Sequence, residues 1–351
     1  ARCHGMGWME AEALPDDIPI GDRTFGEWKD ACDQAVGRIL AHMDFSALLC
    51  KKSPSISIEN VLTIFARRDD IEAVWIEAGL PRCQVLPTMK ALTLDSDGLD
   101  DWEHALEIPP PFYIDLGKDF VLLPCFGALV NPYFALFRHL RQEYRRDWDR
   151  GVDRREAVFR TDLAKILPPP RFTIPAHGFG LRRTDGSLIT DVDALVIDME
   201  SGDLALVQLK WHDVFGLSLH ERESRRRNIN RANDWIDRVS SWIGGRSCAQ
   251  VLKALGLPFQ GSTRPPVLYV LARYAARFTG NDVQDPRASW IAWPEMQMAA
   301  RYGSGETSPL LWIPSWVSDY QGQFEEAETR NIEFQYPDLK VSLNLPFSRI
   351  P

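Results

Sequence analysis

The sequence predicts a multidomain α/β protein, and three observations carry that expectation. Residues 188–211 alternate in hydropathy along two strands, and residues 153–167 and 221–243 repeat their apolar side chains at helical spacing. With 351 residues and 45% hydrophobic content, the chain can bury a large core and form two or three domains. Residues 1–130 are expected to be an acidic, mainly helical N-terminal region. Phe25 to Leu49 and Ile58 to Ala78 have helix-like periodicity, Pro109, Pro110 and Pro111 punctuate the chain, and Phe120 to Leu123 reads as a short strand. Residues 131–284 follow as a core with a leading arm, the Arg-rich aromatic helix that Pro132 opens and that runs from Tyr133 to Trp148. Residues 285–351 read as a C-terminal extension. There Trp290, Trp293, Trp312 and Trp316 stand among prolines as core and loop anchors, and Asn331 to Leu345 alternates as a hairpin around Pro337 and Asp338.

The run from Leu188 to Trp211 is the most informative. Ile189, Asp191, Asp193, Leu195 and Ile197 are expected on one face of a strand, because side chains repeat every two residues. Leu204, Leu206, Gln208 and Lys210 share one face of the next, with Ala205, Val207, Leu209 and Trp211 behind them. Glu200, Ser201, Gly202 and Asp203 between the strands are turn chemistry. The resulting register sets Asp193 opposite Lys210 and diagonal to Gln208. Burying charge among valines and leucines is costly unless it is paired or binds a metal. One reading is a cross-strand Asp193–Lys210 ion pair on a partly solvated face. The other makes Asp193 and the amide oxygen of Gln208 hard oxygen ligands for a divalent cation, with Lys210 orienting a water beside it.

An Asp, a hairpin and then Gln208-x-Lys210 resemble the PD-(D/E)XK nuclease superfamily, which has the restriction-endonuclease-like fold. The acid before the lysine is replaced by Gln208, as in the Mrr-like branch, and Val192 stands where the family name has Pro. The resemblance covers roughly residues 150–275 and implies an α-β-β-β-α-β core, a mixed sheet flanked by helices. Asp153 to Leu167 would be the first helix, and Arg171 to Leu181, Leu188 to Met199 and Asp203 to Trp211 the three strands. Glu221 to Ile243 would be the second helix and Pro266 to Arg273 the returning strand. It also implies Mg²⁺, for which Mn²⁺ can substitute, held by Asp193, Gln208, the backbone carbonyl of Leu209, and Glu156 directly or through water. Lys210 would position the attacking water and stabilise charge at phosphorus. Family members often carry such an acid in the first helix. Glu156 lies three, seven and eleven residues before Phe159, Leu163 and Leu167, which places it on the inward stripe. The competing reading is a capping box of Asp153 and Glu156 at a helix start. Asp191 competes with Asp193 as ligand, and the family pattern makes it a rim group.

The second helix supplies the substrate side. Ile229, Ile236 and Ile243, with Ala232, Trp235 and Val239, form the stripe expected to pack on the sheet. Arg222, Arg225, Arg226, Arg227 and Arg231 cluster in its N-terminal half with Asn230 and Asn233 among them, a combination that suits phosphate oxygens. Glu221, Glu223, Asp234 and Asp237 are interleaved, so a solvated helix laced with ion pairs is the competing reading.

Charge bounds the partners. Residues 1–130 hold 11 Lys and Arg against 22 Asp and Glu, and the remainder 29 against 27. A net charge of −9 argues against a protein that coats nucleic acid, while a local basic groove stays compatible because salt screens charges more than about 8–10 Å apart. The acidic N-terminal region is expected to meet a protein partner or to limit unwanted DNA contact. Cysteines 3, 32, 50, 83, 125 and 248 show no zinc spacing and read as reduced, mostly buried thiols of a cytoplasmic protein. His212 and His220, just after Lys210, read as structural or solvated, with a metal or general-base role the competing reading for His212. No apolar run approaches the ~20 residues of a membrane span, and no signal peptide is visible. The start, Ala1-Arg2-Cys3-His4 without Met, reads as a piece of a longer protein or a cloning remnant. The functional expectation is a Mg²⁺-dependent endonuclease acting on DNA, in restriction, repair or antiphage defence. The alternative is a catalytically degenerate nucleic-acid-binding or protein-interaction module.

Overall fold

The computed structural model describes residues 12–94, 111–125, 133–211, 219–274, 283–325, 329–336 and 339–346. It divides the chain into two compact units. The first comprises residues 1–158 and 212–226, the second 159–211 and 227–351. The class is mixed α/β. Among the described residues no helix is long and apolar enough to cross a membrane.

In the first unit a short hairpin, β1 (Pro19–Ile20) and β2 (Arg23–Thr24), leads into helix α1 (Phe25–Lys52). Thr24 starts that helix through a reciprocal capping box with Glu27. Phe25, Trp28, Cys32, Val36 and Ile39 recur at helical spacing and are all buried. Next come β3 (Thr63–Arg67), α2 (Arg68–Glu77), α3 (Arg82–Leu92) and β4 (Thr93–Leu94), then β5 (Tyr113–Gly117) and β6 (Phe120–Pro124). The strands form one sheet in the order β3-β6-β5-β4. The region is thus less helical than its periodicity predicts. Thr63–Arg67, which that periodicity places in a helix, pairs antiparallel with β6, and Phe65 stacks on Phe120 at 4.8 Å. Helices α4 (Tyr133–Glu143) and α5 (Arg145–Ile166) replace the single arm expected over 133–148. Trp28, Trp75, Phe112, Tyr133 and Trp148 share one core.

The second unit is built on a five-stranded sheet. In chain order the unit begins with strands β7 (Phe172–Thr173), β8 (Phe179–Arg182), β9 (Leu188–Val192), β10 (Ala194–Asp198) and β11 (Leu204–Lys210), of which β7, β10 and β11 enter that sheet. Helices α6 (Leu219–Ile243) and α7 (Cys248–Ala254) precede β12 (Val267–Ala272) and β13 (Ser289–Ala292). Helices α8 (Trp293–Tyr302) and α9 (Pro309–Glu325) follow, then the antiparallel pair β14 (Thr329–Tyr336) and β15 (Leu339–Pro346). The sheet order is β13-β12-β11-β10-β7, with β10 antiparallel to both its neighbours and β11, β12 and β13 parallel. Strands β8 and β9 pair apart from it.

Apolar side chains leave both faces of the sheet. Leu195, Ile197, Leu204, Leu206, Leu268 and Val270 pack with Ala232, Trp235, Ile236 and Val239 of α6. Ala194, Val196, Ala205, Val207 and Leu209 pack with Phe159 and Leu163 of α5, and with Met296 of α8 and Ile313 of α9. Residues 285–325 therefore belong to this sheet and its core.

The central hairpin differs from expectation in register. Its tip is the four residues 199–202, closed by the Asp198 N–H donating to the Asp203 carbonyl at 3.0 Å. Both carboxylates are buried. Ser201 Oγ donates to each, Arg264 pairs with Asp203 at 2.9 Å, and Arg171 reaches Asp198 at 3.4 Å. The ladder Ala194↔Val207 to Ile197↔Leu204 then places Asp193 opposite Gln208, not opposite Lys210. The shift is two residues, so the faces keep their assignment and only the partners change.

Candidate functional site

The site begins with a break in a strand. The single strand expected over 188–199 is two, β9 and β10, and Asp193 belongs to neither ladder. Alternation changes phase there. Val192 before the break and Leu195 and Ile197 after it all enter the core under α6. Asp191 consequently does not share a face with Leu195 and Ile197. It is exposed, and its backbone carbonyl accepts from Trp235 Nε1 at 2.6 Å.

Three tertiary contacts hold this break. Trp235 of α6 is the first. The second is Gly178, where an added Cβ would lie 2.7 Å from the Val192 carbonyl oxygen. The third is Arg160 of α5, whose Nε donates to the Asp193 carbonyl at 2.6 Å and whose Nη1 donates to that of Ala176 at 2.9 Å. Sequence reasoning missed Arg160 and Gly178, and had Trp235 only as a member of the stripe of α6 that packs on the sheet. Arg160 falls between the apolar Phe159 and Leu163, a position where a cation usually has a specific partner.

Asp193 is 5% exposed and Gln208 9%. Gln208 Nε2 donates to Asp193 Oδ2, and the backbone N–H of Leu209 donates to the same oxygen at 2.7 Å. Lys210, half-buried, follows Gln208 on the α6 side of β11, as its alternation predicts. The end of β11 is clamped from the other face. Arg273 N–H donates to the Lys210 carbonyl at 2.8 Å. The Arg273 guanidinium pairs with Asp162 at 2.9 Å and lies 4.6 Å from the Trp211 ring, 5.2 Å from Trp293 and 5.3 Å from Phe159.

Glu156 is placed differently from expectation. Helix α5 starts at Arg145, so Asp153 and Glu156 do not cap a helix start. The buried stripe runs Arg155, Phe159, Leu163 and Leu167, while Glu156 is exposed and belongs to the first unit. On α6, Arg226, Arg227 and Arg231 are exposed and Asn230 is half-buried. Arg226 pairs with Glu223 at 3.3 Å, as the ion-pair reading of that helix anticipates. Asn233 is engaged elsewhere, donating to Val283 O at 2.9 Å and accepting from Asp285 N. The side chains of Arg222, Arg225 and His220, and all of His212, lie outside the described residues.

Among the described residues no group of three or more His, Cys, Asp and Glu side chains could hold a metal ion. Beside the Asp193 carboxylate lie the Gln208 amide and the Leu209 backbone. No family model, no curated protein and no solved structure matches this chain.

Proposed function

We propose that the second unit is the core of a Mg²⁺-dependent nuclease of the PD-(D/E)XK type that hydrolyses DNA phosphodiester bonds, in restriction, repair or antiphage defence. The observation that carries this reading is the buried Asp193, at the break between β9 and β10, bonded by Gln208 and Leu209 N–H two residues or fewer from Lys210 at the end of β11. The order α5, then the sheet strands β7, β10 and β11, then α6 and β12 supports it, with the β8–β9 pair and α7 as additions to the expected α-β-β-β-α-β order.

The donor chemistry fits a hard cation. Mg²⁺ keeps several waters and is commonly held by one or two carboxylates plus substrate phosphate, so Asp193 with Gln208 Oε1 and Leu209 O is a sufficient protein share. Glu156, exposed on α5 and part of the first unit, is left out of this ligand set. When bound, Mg²⁺ polarises a phosphoryl oxygen and acidifies a water. Asp193 would orient the ligand set through its bond from Leu209 N–H. Lys210 would hold the attacking water and offset negative charge developing at phosphorus. Arg231, Asn230, Arg222, Arg225 and Arg226 of α6 would meet backbone phosphates, and the acidic N-terminal region would meet a protein partner.

A second reading has its own observation. Gln208 presents its amide N–H, not its oxygen, to the Asp193 carboxylate. An amide at this position adds no charge for a cation, which favours a catalytically degenerate nucleic-acid-binding or protein-interaction module.

One experiment separates them. Circular and linear, single- and double-stranded DNA are incubated with Mg²⁺, Mn²⁺ or EDTA, with wild type and Lys210→Ala side by side. Metal-dependent cutting lost in Lys210→Ala supports the nuclease. No cutting by the folded protein under any metal selects the second reading, and cutting that survives Lys210→Ala removes Lys210 from the mechanism.

A further inference from the structure

Arg160 is a charged side chain only 6% exposed, seated beside the site on helix α5. Burying a guanidinium is costly unless its N–H groups are occupied. Two of them are spent on backbone carbonyls, Asp193 O at 2.6 Å and Ala176 O at 2.9 Å. Those carbonyls come from segments that do not pair with each other in any ladder, on either side of the β8–β9 hairpin. Gly178, between Ala176 and β8, lies against Val192 O, so the two segments are already in close approach where the guanidinium bridges them.

We infer that Arg160 is a positioning residue, whose guanidinium fork sets the backbone of Asp193 and thereby aims its carboxylate at Leu209 N–H and Gln208. The reasoning is geometric. Asp193 sits outside both ladders, so no strand pairing defines its peptide plane. The direction of its Cα–Cβ bond follows that plane. Turning the carbonyl off Arg160 swings Oδ2 off the Leu209 N–H, 2.7 Å away. A working site tolerates only about 0.5 Å of such misplacement. Only an Arg suits the task, because a planar fork reaches two acceptors at once, whereas a Lys ammonium offers a single point of charge. The functional weight of this inference rests on Asp193 being the working carboxylate of the proposed centre, and the experiment keeps the two questions apart.

The test is amide hydrogen exchange and backbone NMR on the full chain, for wild type, Arg160→Lys and Arg160→Met. The expected result is that Leu209 N–H loses about tenfold protection in both variants, the loss of roughly one hydrogen bond, while Ala205 and Val207 keep theirs. Unchanged protection at Leu209, a uniform loss along β11, or full recovery by Lys overturns the inference. Should neither variant fold, the wild type alone decides. An Arg160 Nε–H that exchanges as fast as a solvated guanidinium overturns the inference, and a slowly exchanging one upholds it. Mn²⁺ added to the same wild-type sample broadens Gln208 and Leu209 signals if the metal reading holds. Absence of broadening removes that reading, while the positioning role of Arg160 still stands or falls on the exchange rates alone.

Discussion

Gln208 lies opposite Asp193, one step beyond the end of the β10–β11 ladder, and donates its amide to that carboxylate, while Leu209 N–H serves the same oxygen. Gln208→Glu replaces a donor with a second carboxylate at a site where both are buried. In EDTA the variant is expected to lose about 2 kcal/mol, the usual order for an unpaired buried acceptor. With Mg²⁺ its thermal midpoint is expected to recover and its metal affinity to exceed that of wild type. Calorimetry in both buffers decides this, and an identical midpoint with and without Mg²⁺ shows that no cation enters the pair.

Gly178→Ala should strain the Asp193 break directly. The added methyl lies 2.7 Å from Val192 O, a backbone atom that cannot turn aside. An overpacking cost of about 1–3 kcal/mol is expected. Urea denaturation measures it, and a change below a few tenths of a kcal/mol would show that the β8–β9 hairpin moves freely from the core.

Arg273→Met removes the partner of Asp162 and the cation shared by Trp211, Trp293 and Phe159. Asp162 keeps Lys165 at 2.9 Å, so the loss should be about 2 kcal/mol, below that of a fully orphaned buried charge. Arg273→Lys should restore only part, because an ammonium neither stacks nor forks. Denaturation of the three proteins, read by tryptophan fluorescence, gives the ranking.

Alkali should weaken the first unit. Burial, with Asp33 beside it, pushes the Cys32 thiol up, and burial pushes the Tyr113 hydroxyl up to about 12. Both folded values lie above the unfolded ones, near 8.5 for Cys and 10 for Tyr. Their contribution is therefore complete below those values and lost as pH rises through the window above them. Above pH ~10 Tyr113 alone should cost about 1.4 kcal/mol per unit until its folded value is reached. Hydrogen exchange of peptides from α1 and β5 at pH 7, 9, 10 and 11 follows it. Cys32→Ala should delay the onset.

The faces of β11 were legible because its alternation is unbroken from Leu204 to Lys210. The partner of Asp193 was not, since the register depends on a turn closed by buried Asp198 and Asp203, held by Arg171 and Arg264 from distant segments. The break at Asp193 leaves no mark in Thr190-Asp191-Val192-Asp193-Ala194. It is imposed by Arg160, Trp235 and Gly178, so periodicity carried straight through it and placed Asp191 on the wrong face. The strand Thr63–Arg67 was lost for a similar reason. Its exposed Phe65 finds its stacking partner on β6, more than fifty residues away. Helix α6 was read well because Ala232, Trp235, Ile236, Val239 and Ile243 keep one unbroken stripe.

Helix α5 changes units between Val158 and Phe159, and α6 does so between Arg226 and Arg227. Dissecting this protein by truncation will therefore mislead. A cut at either crossover severs a helix and leaves one piece of α5 and one of α6 well below the roughly 12–15 residues that an isolated helix needs to persist in water. Fragments ending there should express as frayed, protease-sensitive chains whatever the intact protein does. Inactivity of such a fragment would report the broken helix and leave the proposed role of Lys210 untouched.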